Sequence, residues 1–126
     1  MRLNHVLLYV SDVERALGFY VGTLGFTLVE AGQPDYARVL APEGDATIGL
    51  HRISAAPKPP WNEGVRLYLE VDHLDDVCNR LAAQGVDFEQ MPKDMPWGWR
   101  HAYLRDPDGH MLSIYRAGEQ RLRNST

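Results

Sequence analysis

The chain has 126 residues, of which 44% are hydrophobic and 24% are charged. These proportions are ordinary for one globular domain, and they exclude collagen, coiled coil and long disordered segments. Thirteen basic residues against 17 acidic ones give a net charge of −4, which argues against nucleic acid as a partner because phosphate recognition needs clustered basic residues. The single cysteine, Cys78, excludes an internal disulfide and fits a reducing cytoplasm.

The first ten residues are too polar for the core of a signal peptide, since they include Asn4 and His5. No apolar run approaches the roughly 20 residues that a membrane-spanning helix needs. We therefore expect a cytoplasmic protein that does not associate with a membrane.

The first half of the chain predicts one helix and four strands. Residues 3–10 form an apolar and aromatic run typical of a strand. Ser11 and Glu14 then match a capping box, apolar residues continue at helical spacing as far as Leu24, and Gly25 stands where a helix ends. Three further strands are predicted over residues 26–31, 36–40 and 46–53, with a turn at 42–45.

The second half repeats this order. A strand is predicted over residues 65–71, Asp72 is the expected helix cap, an apolar stripe follows over 74–82, and Gly85 ends the helix. Three strands are predicted over 87–91, 101–105 and 111–116, with a turn at 106–109. Aligning the two halves places His5 on Arg66.

The repeat divides the chain into two βαβββ modules and predicts an α+β fold. The first module covers residues 1–53 and the second covers 65–116, joined by a proline-rich linker at 54–64 and followed by a polar tail at 117–126. Each module is too small to be stable easily alone, so the two are expected to function as a pair.

Several segments resemble the vicinal oxygen chelate superfamily, also called the glyoxalase, bleomycin resistance protein and dioxygenase superfamily. They are residues 4–6, 12–20, 24–26, 69–75 and 106–109. The resemblance implies two half-barrel sheets around a cleft that binds a small molecule, in a homodimer. Metal-dependent members of the superfamily hold their ion through four strand positions, which correspond here to His5, Gly49, Arg66 and Ser113.

Only His5 of those four residues is a common metal ligand, since glycine has no side chain and arginine has no lone pair to donate. No cofactor is therefore expected. The alternative is a divalent metal held by His5 and His51 together with His101 or Glu70.

Residues 96–103 resemble the bleomycin resistance branch, whose members bind compounds in a metal-free cleft. Tyr103 and the turn at 106–109 also resemble the closing motif of extradiol dioxygenases, but Ser113 stands where that motif has its essential glutamate. The resemblance thus favours binding of an aromatic or amphipathic compound.

Alternation along the strands predicts which side chains face the cleft, and the tryptophans of the loop before the last hairpin are added to them. The predicted ligand-binding residues are His5, Tyr9, His51, Arg66, Tyr68, Trp97, Trp99, Tyr103, Ser113 and Tyr115.

Each of these assignments has a structural alternative. The tyrosines can simply pack, the tryptophans can be covered by the core or by a partner subunit, and Arg66 can pair with Glu70. Trp61 is expected to pack against a loop or an interface. The guanidinium group of Arg100 can bind an anionic ligand or form a surface ion pair. Cys78 is expected to be an inert helix residue, and His73 and His110 are expected to be solvated surface residues.

Three functions follow from these patterns. The leading hypothesis is metal-independent binding of a small aromatic or amphipathic compound, with Arg66 and His5 as polar anchors. The second is a glyoxalase-like lyase or isomerase, or a dioxygenase-type enzyme, with a non-standard metal site or an acid–base site around His5, His51 and Glu70. The third is an interaction module whose cleft is filled by its own side chains.

Overall fold

The computed structural model describes residues 1–55 and 62–118. The elements of the first half are β1 (His5–Val10), α1 (Val13–Leu17) with a π-helical continuation (Gly18–Thr23), β2 (Thr27–Gln33), β3 (Tyr36–Leu40) and β4 (Thr47–Arg52). Those of the second half are β5 (Arg66–Glu70), α2 (Leu74–Ala83), β6 (Phe88–Asp94), β7 (Arg100–Arg105) and β8 (Met111–Arg116).

Each half forms a four-stranded sheet. The strand order is β1-β4-β3-β2 in the first sheet and β5-β8-β7-β6 in the second. In both sheets the first and last strands of the module pair in parallel and the remaining neighbours are antiparallel. Two sheets with few helices confirm the predicted α+β fold. The cleft between the modules stays a prediction.

The chain divides into two compact units, Met1–Asn62 and Glu63–Thr126. Within each unit, one face of the sheet carries the core. In the first unit Leu8, Val10 and Leu50 are buried with Ala16 and Tyr20 of the helical segment.

In the second unit α2 packs on β6, β7 and β8, where Leu81 and Cys78 are buried together with Leu104 and Leu112. Because strand side chains alternate, the opposite face of each sheet is left for polar and aromatic residues.

The helices begin one residue later than predicted. Asp12, not Ser11, is the N-cap of α1, and its carboxylate accepts from the backbone N–H of Arg15 at 3.2 Å. Ser11 instead accepts from the Arg15 guanidinium at 2.9 Å. The N-cap of α2 is His73 and not Asp72, and this start puts the buried Leu74 in the first turn.

The first helix also changes its winding after Leu17. The backbone N–H of Leu24 donates to the carbonyl of Phe19, five residues back, at 2.9 Å. Tyr20 in this segment is completely buried, as its place in the predicted apolar stripe indicates, whereas the wider winding was not predicted. Gly25 ends the segment as predicted, with φ of 84°.

None of the helices in residues 1–55 and 62–118 is long and apolar enough to cross a membrane. The predicted position of Trp61, part of the linker and most of the polar tail lie outside the described residues.

Candidate functional site

Aromatic side chains from three strands gather on the open face of the second sheet. Strand pairing sets Tyr68 of β5 beside Ser113 of β8, and Ser113 beside Tyr103 of β7. The next pair on this face is Tyr115 of β8 with His101 of β7. We call the group formed by these side chains and the two nearby tryptophans the aromatic face. Its ring-bearing members are Tyr68, Trp97, Trp99, His101, Tyr103 and Tyr115.

Four of these rings lie nearly parallel. Trp99 stacks on Tyr115 with centroids 5.1 Å apart and planes 4° apart. Tyr115 in turn lies 5.3 Å from His101, and His101 lies 5.8 Å from Tyr103. Offset stacking at these spacings is favourable for aromatic pairs, so these four rings form one continuous stacked floor.

The other two rings stand edge to face against His101. Trp97 has its centroid 5.5 Å from that of His101, and Tyr68 has its centroid 5.9 Å away. Trp97 is 49% exposed and Tyr68 is 52% exposed. These two side chains therefore present apolar ring surface to solvent beside the stacked floor.

His101 is the buried centre of the aromatic face, with only 2% of its surface exposed. Its Nδ1 is 2.7 Å from the hydroxyl oxygen of Ser113. Its Nε2 is buried and has no hydrogen-bond partner among the described residues. Burial lowers the pKa of the imidazole below its usual value of 6.5, because the charged form is disfavoured away from water.

Arg66 supplies positive charge at the edge of this face. Its guanidinium carbon lies 5.6 Å from the centroid of the Tyr103 ring, a cation–π distance. Arg100 has a different environment, since it bonds Asp75 through two nitrogens at 3.0 and 3.3 Å and Asp94 at 3.1 Å. Of the two alternatives for Arg100, the structure thus supports the surface ion pair.

The two tryptophans are carried by a tight turn between β6 and β7. The backbone N–H of Met95 donates to the carbonyl of Trp99 at 2.7 Å, and Gly98 donates back to Met95 at 3.0 Å. Gly98 has a φ of 92°, which favours glycine. A Cβ placed on Gly118 would lie 2.5 Å from the Gly98 carbonyl oxygen, so the chain after β8 lies directly against this turn.

The open face of the first sheet carries His5, Tyr9 and His51. His5 bonds the side-chain oxygen of Asn4 through Nδ1 at 2.8 Å. His51 bonds the carbonyl of Arg52 through Nδ1 at 2.8 Å. Because that carbonyl only accepts, Nδ1 of His51 carries a proton.

Three residues of this face, Tyr36, Arg38 and Glu30, were not among the predicted ligand-binding residues. Alternation along β3 places the first two on this face. Tyr36 lies opposite His51 and Arg38 lies opposite Gly49. Glu30 forms an ion pair with Arg38 at 3.5 Å, and it hydrogen-bonds the Tyr36 hydroxyl. Burial, followed by the bond and the charge of Glu30, raises the pKa of Tyr36.

The Tyr36 ring occupies the space in front of Gly49. A Cβ built on Gly49 would lie 3.2 Å from Cε1 of Tyr36 and 3.4 Å from both its hydroxyl oxygen and Cδ2 of His5. A side chain at this position would therefore require the Tyr36 ring to shift by a few tenths of an ångström.

A divalent metal does not fit the four superfamily positions of this chain. Gly49 has no side chain to offer, Arg66 repels cations, and Ser113 is fully buried with its hydroxyl bonded to His101. Among residues 1–55 and 62–118, no group of three or more His, Cys, Asp or Glu side chains is placed to hold a metal ion.

The rebuilt metal site is also not assembled within the first unit. Register puts His5 opposite Thr47 and His51 opposite Tyr9, so the two histidines stand four strand positions apart, about 13 Å along the sheet. His101 and Glu70 belong to the other unit.

The expectation that His110 is a solvated surface residue is wrong. It is 3% exposed, and its Nδ1 lies 2.8 Å from the carboxylate of the buried Asp106. The same carboxylate accepts from the backbone N–H groups of Asp108 and His110 at 3.0 and 2.8 Å. The Asp106 carboxylate thus holds the turn of the hairpin together, and its contact with the His110 ring keeps the imidazole buried. His73 is exposed, as expected.

Cys78 is fully buried on α2. Burial, with a smaller effect of Asp75, raises the pKa of its thiol to about 11. A buried thiol that stays protonated is a poor nucleophile.

Comparisons with known proteins define the family. The model of the glyoxalase/bleomycin resistance protein/dioxygenase superfamily matches residues 2–114. The chain belongs to this superfamily.

The relatives within the superfamily include a named enzyme and proteins named only for the superfamily. The chain is 29% identical to the lactoylglutathione lyase of Salmonella typhimurium, over 93% of both chains. It is 30% identical to a superfamily member from Sphaerobacter thermophilus, with a TM-score of 0.74 over 93% of this chain and 98% of that one. A glyoxalase/bleomycin resistance protein/dioxygenase from Nocardioides has a TM-score of 0.77 at 24% identity, over 94% of this chain and 85% of that one, and it shares the fold.

Proposed function

We propose that this protein binds a small aromatic or amphipathic compound without a metal ion, through the aromatic face of its second unit. The observation that carries the proposal is the stacked floor of Trp99, Tyr115, His101 and Tyr103 beside two half-exposed rings. Ligand sites of this kind combine aromatic surface with a few well-placed polar groups.

The exposed ring surface supports binding of moderate strength. A Trp or Tyr side chain buries about 150–250 Å² in full, so covering the open half of Trp97 or Tyr68 removes about 100 Å² from water. At about 25 cal/mol per Å² this is worth about 2.5 kcal/mol for each ring. The two together correspond to a Kd near 1 mM or somewhat below, and tighter binding requires polar contacts such as those Arg66 offers.

The missing metal ligands support the metal-free part of the proposal. Gly49, Arg66 and Ser113 are unsuited to holding a divalent cation, and Tyr36 fills the space at one of these positions. Ligand binding is therefore expected to survive treatment with a chelator.

The test is a titration of EDTA-treated protein with naphthalene derivatives, followed by tryptophan fluorescence and saturation-transfer NMR. Trp97→Ala is expected to weaken binding about 70-fold, because it removes one of the two exposed rings and with it about 2.5 kcal/mol. Phe19→Ala is the matched control, since Phe19 is an aromatic residue of the other unit. Binding that appears only after a divalent metal is added, or that is unaffected by Trp97→Ala and Tyr68→Ala, would contradict the proposal.

A second candidate is lactoylglutathione lyase activity, which the name of the Salmonella typhimurium relative favours. His5 and His51 supply imidazoles on the open face of the first sheet. The discriminating assay measures lactoylglutathione lyase activity with and without added Ni²⁺ or Zn²⁺. Turnover that is lost in both His5→Ala and His51→Ala would favour this enzyme over a binding protein.

We further propose that the protein works as a cytoplasmic homodimer. The superfamily resemblance supports a dimer, and so do exposed apolar residues on β1, an edge strand of the first sheet, where Val6 and Leu7 are 37% and 38% exposed. Light scattering after size-exclusion chromatography is expected to give twice the chain mass of 14.3 kDa. A monomer at micromolar concentration would contradict the dimer.

A further inference from the structure

The centre of the aromatic face holds a polar atom that the fold leaves without a partner. Nε2 of His101 is buried and has no hydrogen bond within residues 1–55 and 62–118. A buried polar group without a partner is costly and uncommon in folded proteins. Since the ring itself is 98% buried, this atom marks a position where a ligand can supply a missing bond.

The hydrogen bond between His101 and Ser113 indicates whether Nε2 of His101 carries the ring proton. A neutral imidazole has one N–H, and Ser113 has one hydroxyl hydrogen. If the Ser113 hydroxyl donates to Nδ1 of His101 across their 2.7 Å contact, then Nε2 carries the ring proton and only that proton lacks an acceptor. In the reverse arrangement Nδ1–H donates to the Ser113 hydroxyl oxygen. Nε2 then has a lone pair without a donor, and the Ser113 hydrogen also has no acceptor. The first arrangement is therefore the more stable, and it makes Nε2–H a donor.

Two of the side chains packed against the His101 ring are themselves half-exposed. Trp97 and Tyr68 meet His101 edge to face at 5.5 and 5.9 Å. An N–H directed at an aromatic ring is a weak substitute for a hydrogen bond to oxygen. Binding at Nε2 therefore requires a side chain packed against the imidazole to move aside, and the half-exposed Trp97 and Tyr68 are the candidates.

A cation lies on the same face of the sheet. The Arg66 guanidinium lies over the ring of Tyr103, and the Tyr103 ring stacks against His101. A neutral N–H donor near a guanidinium favours a ligand with an acceptor oxygen that carries negative charge. The surrounding rings favour a flat apolar body.

We propose that the ligand is an aromatic carboxylate, whose oxygen accepts the hydrogen bond of His101 Nε2–H while Arg66 balances its charge. This inference rests on the proposed function, since it names the chemical class of the compound that the aromatic face binds. His101 is then a specificity-determining residue, and Ser113 is a positioning residue that fixes the tautomer of its ring.

The experiment compares three probes that share one ring system, namely 2-naphthoate, 2-methylnaphthalene and 2-naphthylmethylammonium. The wild-type protein is expected to bind naphthoate at least tenfold more tightly than the other two. His101→Phe keeps a flat ring and removes the donor, so it is expected to reduce the preference for naphthoate over methylnaphthalene about tenfold, while binding of methylnaphthalene is retained. His73→Phe, the same change at an exposed histidine whose side chain caps no helix, is the control.

A second measurement remains decisive if His101→Phe does not fold. Long-range ¹H–¹⁵N NMR of the wild-type protein is expected to show His101 protonated at Nε2, with a shift of this nitrogen on addition of naphthoate and none on addition of methylnaphthalene. A proton on Nδ1, or equal affinity for all three probes, would overturn the inference and leave the proposed function intact. If none of the probes binds, the proposed function fails and the inference fails with it.

Discussion

At the scale of single residues, the burial of His101 links the stability of the second unit to pH. The pKa of this imidazole is lowered in the folded protein by desolvation, and its value in the unfolded chain is about 6.5. Above pH 6.5 both states hold the neutral ring. As the pH falls below 6.5, the unfolded chain takes up a proton that the folded protein resists, so the free energy of unfolding decreases.

We therefore predict that His101 destabilises the wild-type protein by up to about 1.4 kcal/mol for each pH unit below 6.5, until the folded-state pKa is reached. His101→Phe has no group to titrate, so its free energy of unfolding should depend less on pH over this range. Urea denaturation of both proteins at pH 7.5 and 5.5 measures the difference. Equal losses of stability in the two proteins would contradict this assignment.

Gly49 provides a second test at this scale. Adding a Cβ brings it within 3.2 Å of the Tyr36 ring, so Gly49→Ala is predicted to lower the free energy of unfolding by about 1–3 kcal/mol. The same substitution should cost much less in a Tyr36→Leu background. Gly32→Ala, on a strand of the same sheet with open space around its Cβ position, is the control. An additive double-mutant cycle would show that the ring does not occupy this space.

At the scale of elements, the strands could be predicted well and the helix starts less well. Alternating apolar and polar residues indicated all eight strands, and β8 has the predicted bounds, Met111–Arg116. The π-helical segment could not be predicted, because an apolar stripe at helical spacing does not distinguish π-helical from α-helical winding. The turn that carries Trp97 and Trp99 likewise lies against a residue distant in sequence, Gly118.

Gly118→Ala is predicted to displace this turn, because its Cβ would lie 2.5 Å from the carbonyl oxygen of Gly98. We expect the free energy of unfolding to fall by about 1–3 kcal/mol, with a changed tryptophan emission maximum and weaker binding of aromatic probes. Gly64→Ala, at a position with open space, should leave all three unchanged. Unaltered emission and binding in Gly118→Ala would show that the contact does not hold the turn.

At the scale of the whole molecule, the repeat is the feature that made the fold predictable. Two modules with the same order of strands and helix indicated two sheets of the same strand order, and both are present. The candidate site could be predicted only in part. Alternation identified Tyr68, Ser113 and Tyr115, but the buried His101 was considered only as a metal ligand.

The reason is that burial depends on what neighbouring strands contribute. His101 lies under rings from β5 and β8 and from the preceding turn, and no pattern within residues 96–103 shows this. Tyr36 was missed for a similar reason, since its role depends on the absence of a side chain at Gly49 on the neighbouring strand.

The account depends most on where an aromatic compound binds and whether it needs a metal. NMR chemical-shift mapping of the EDTA-treated protein during a titration with 2-naphthoate addresses both points in one measurement. We predict saturable shifts centred on Tyr68, Trp97 and His101, at the same ligand concentrations with or without added Zn²⁺. Shifts centred on His5 and Gly49, or shifts that require Zn²⁺, would contradict the account.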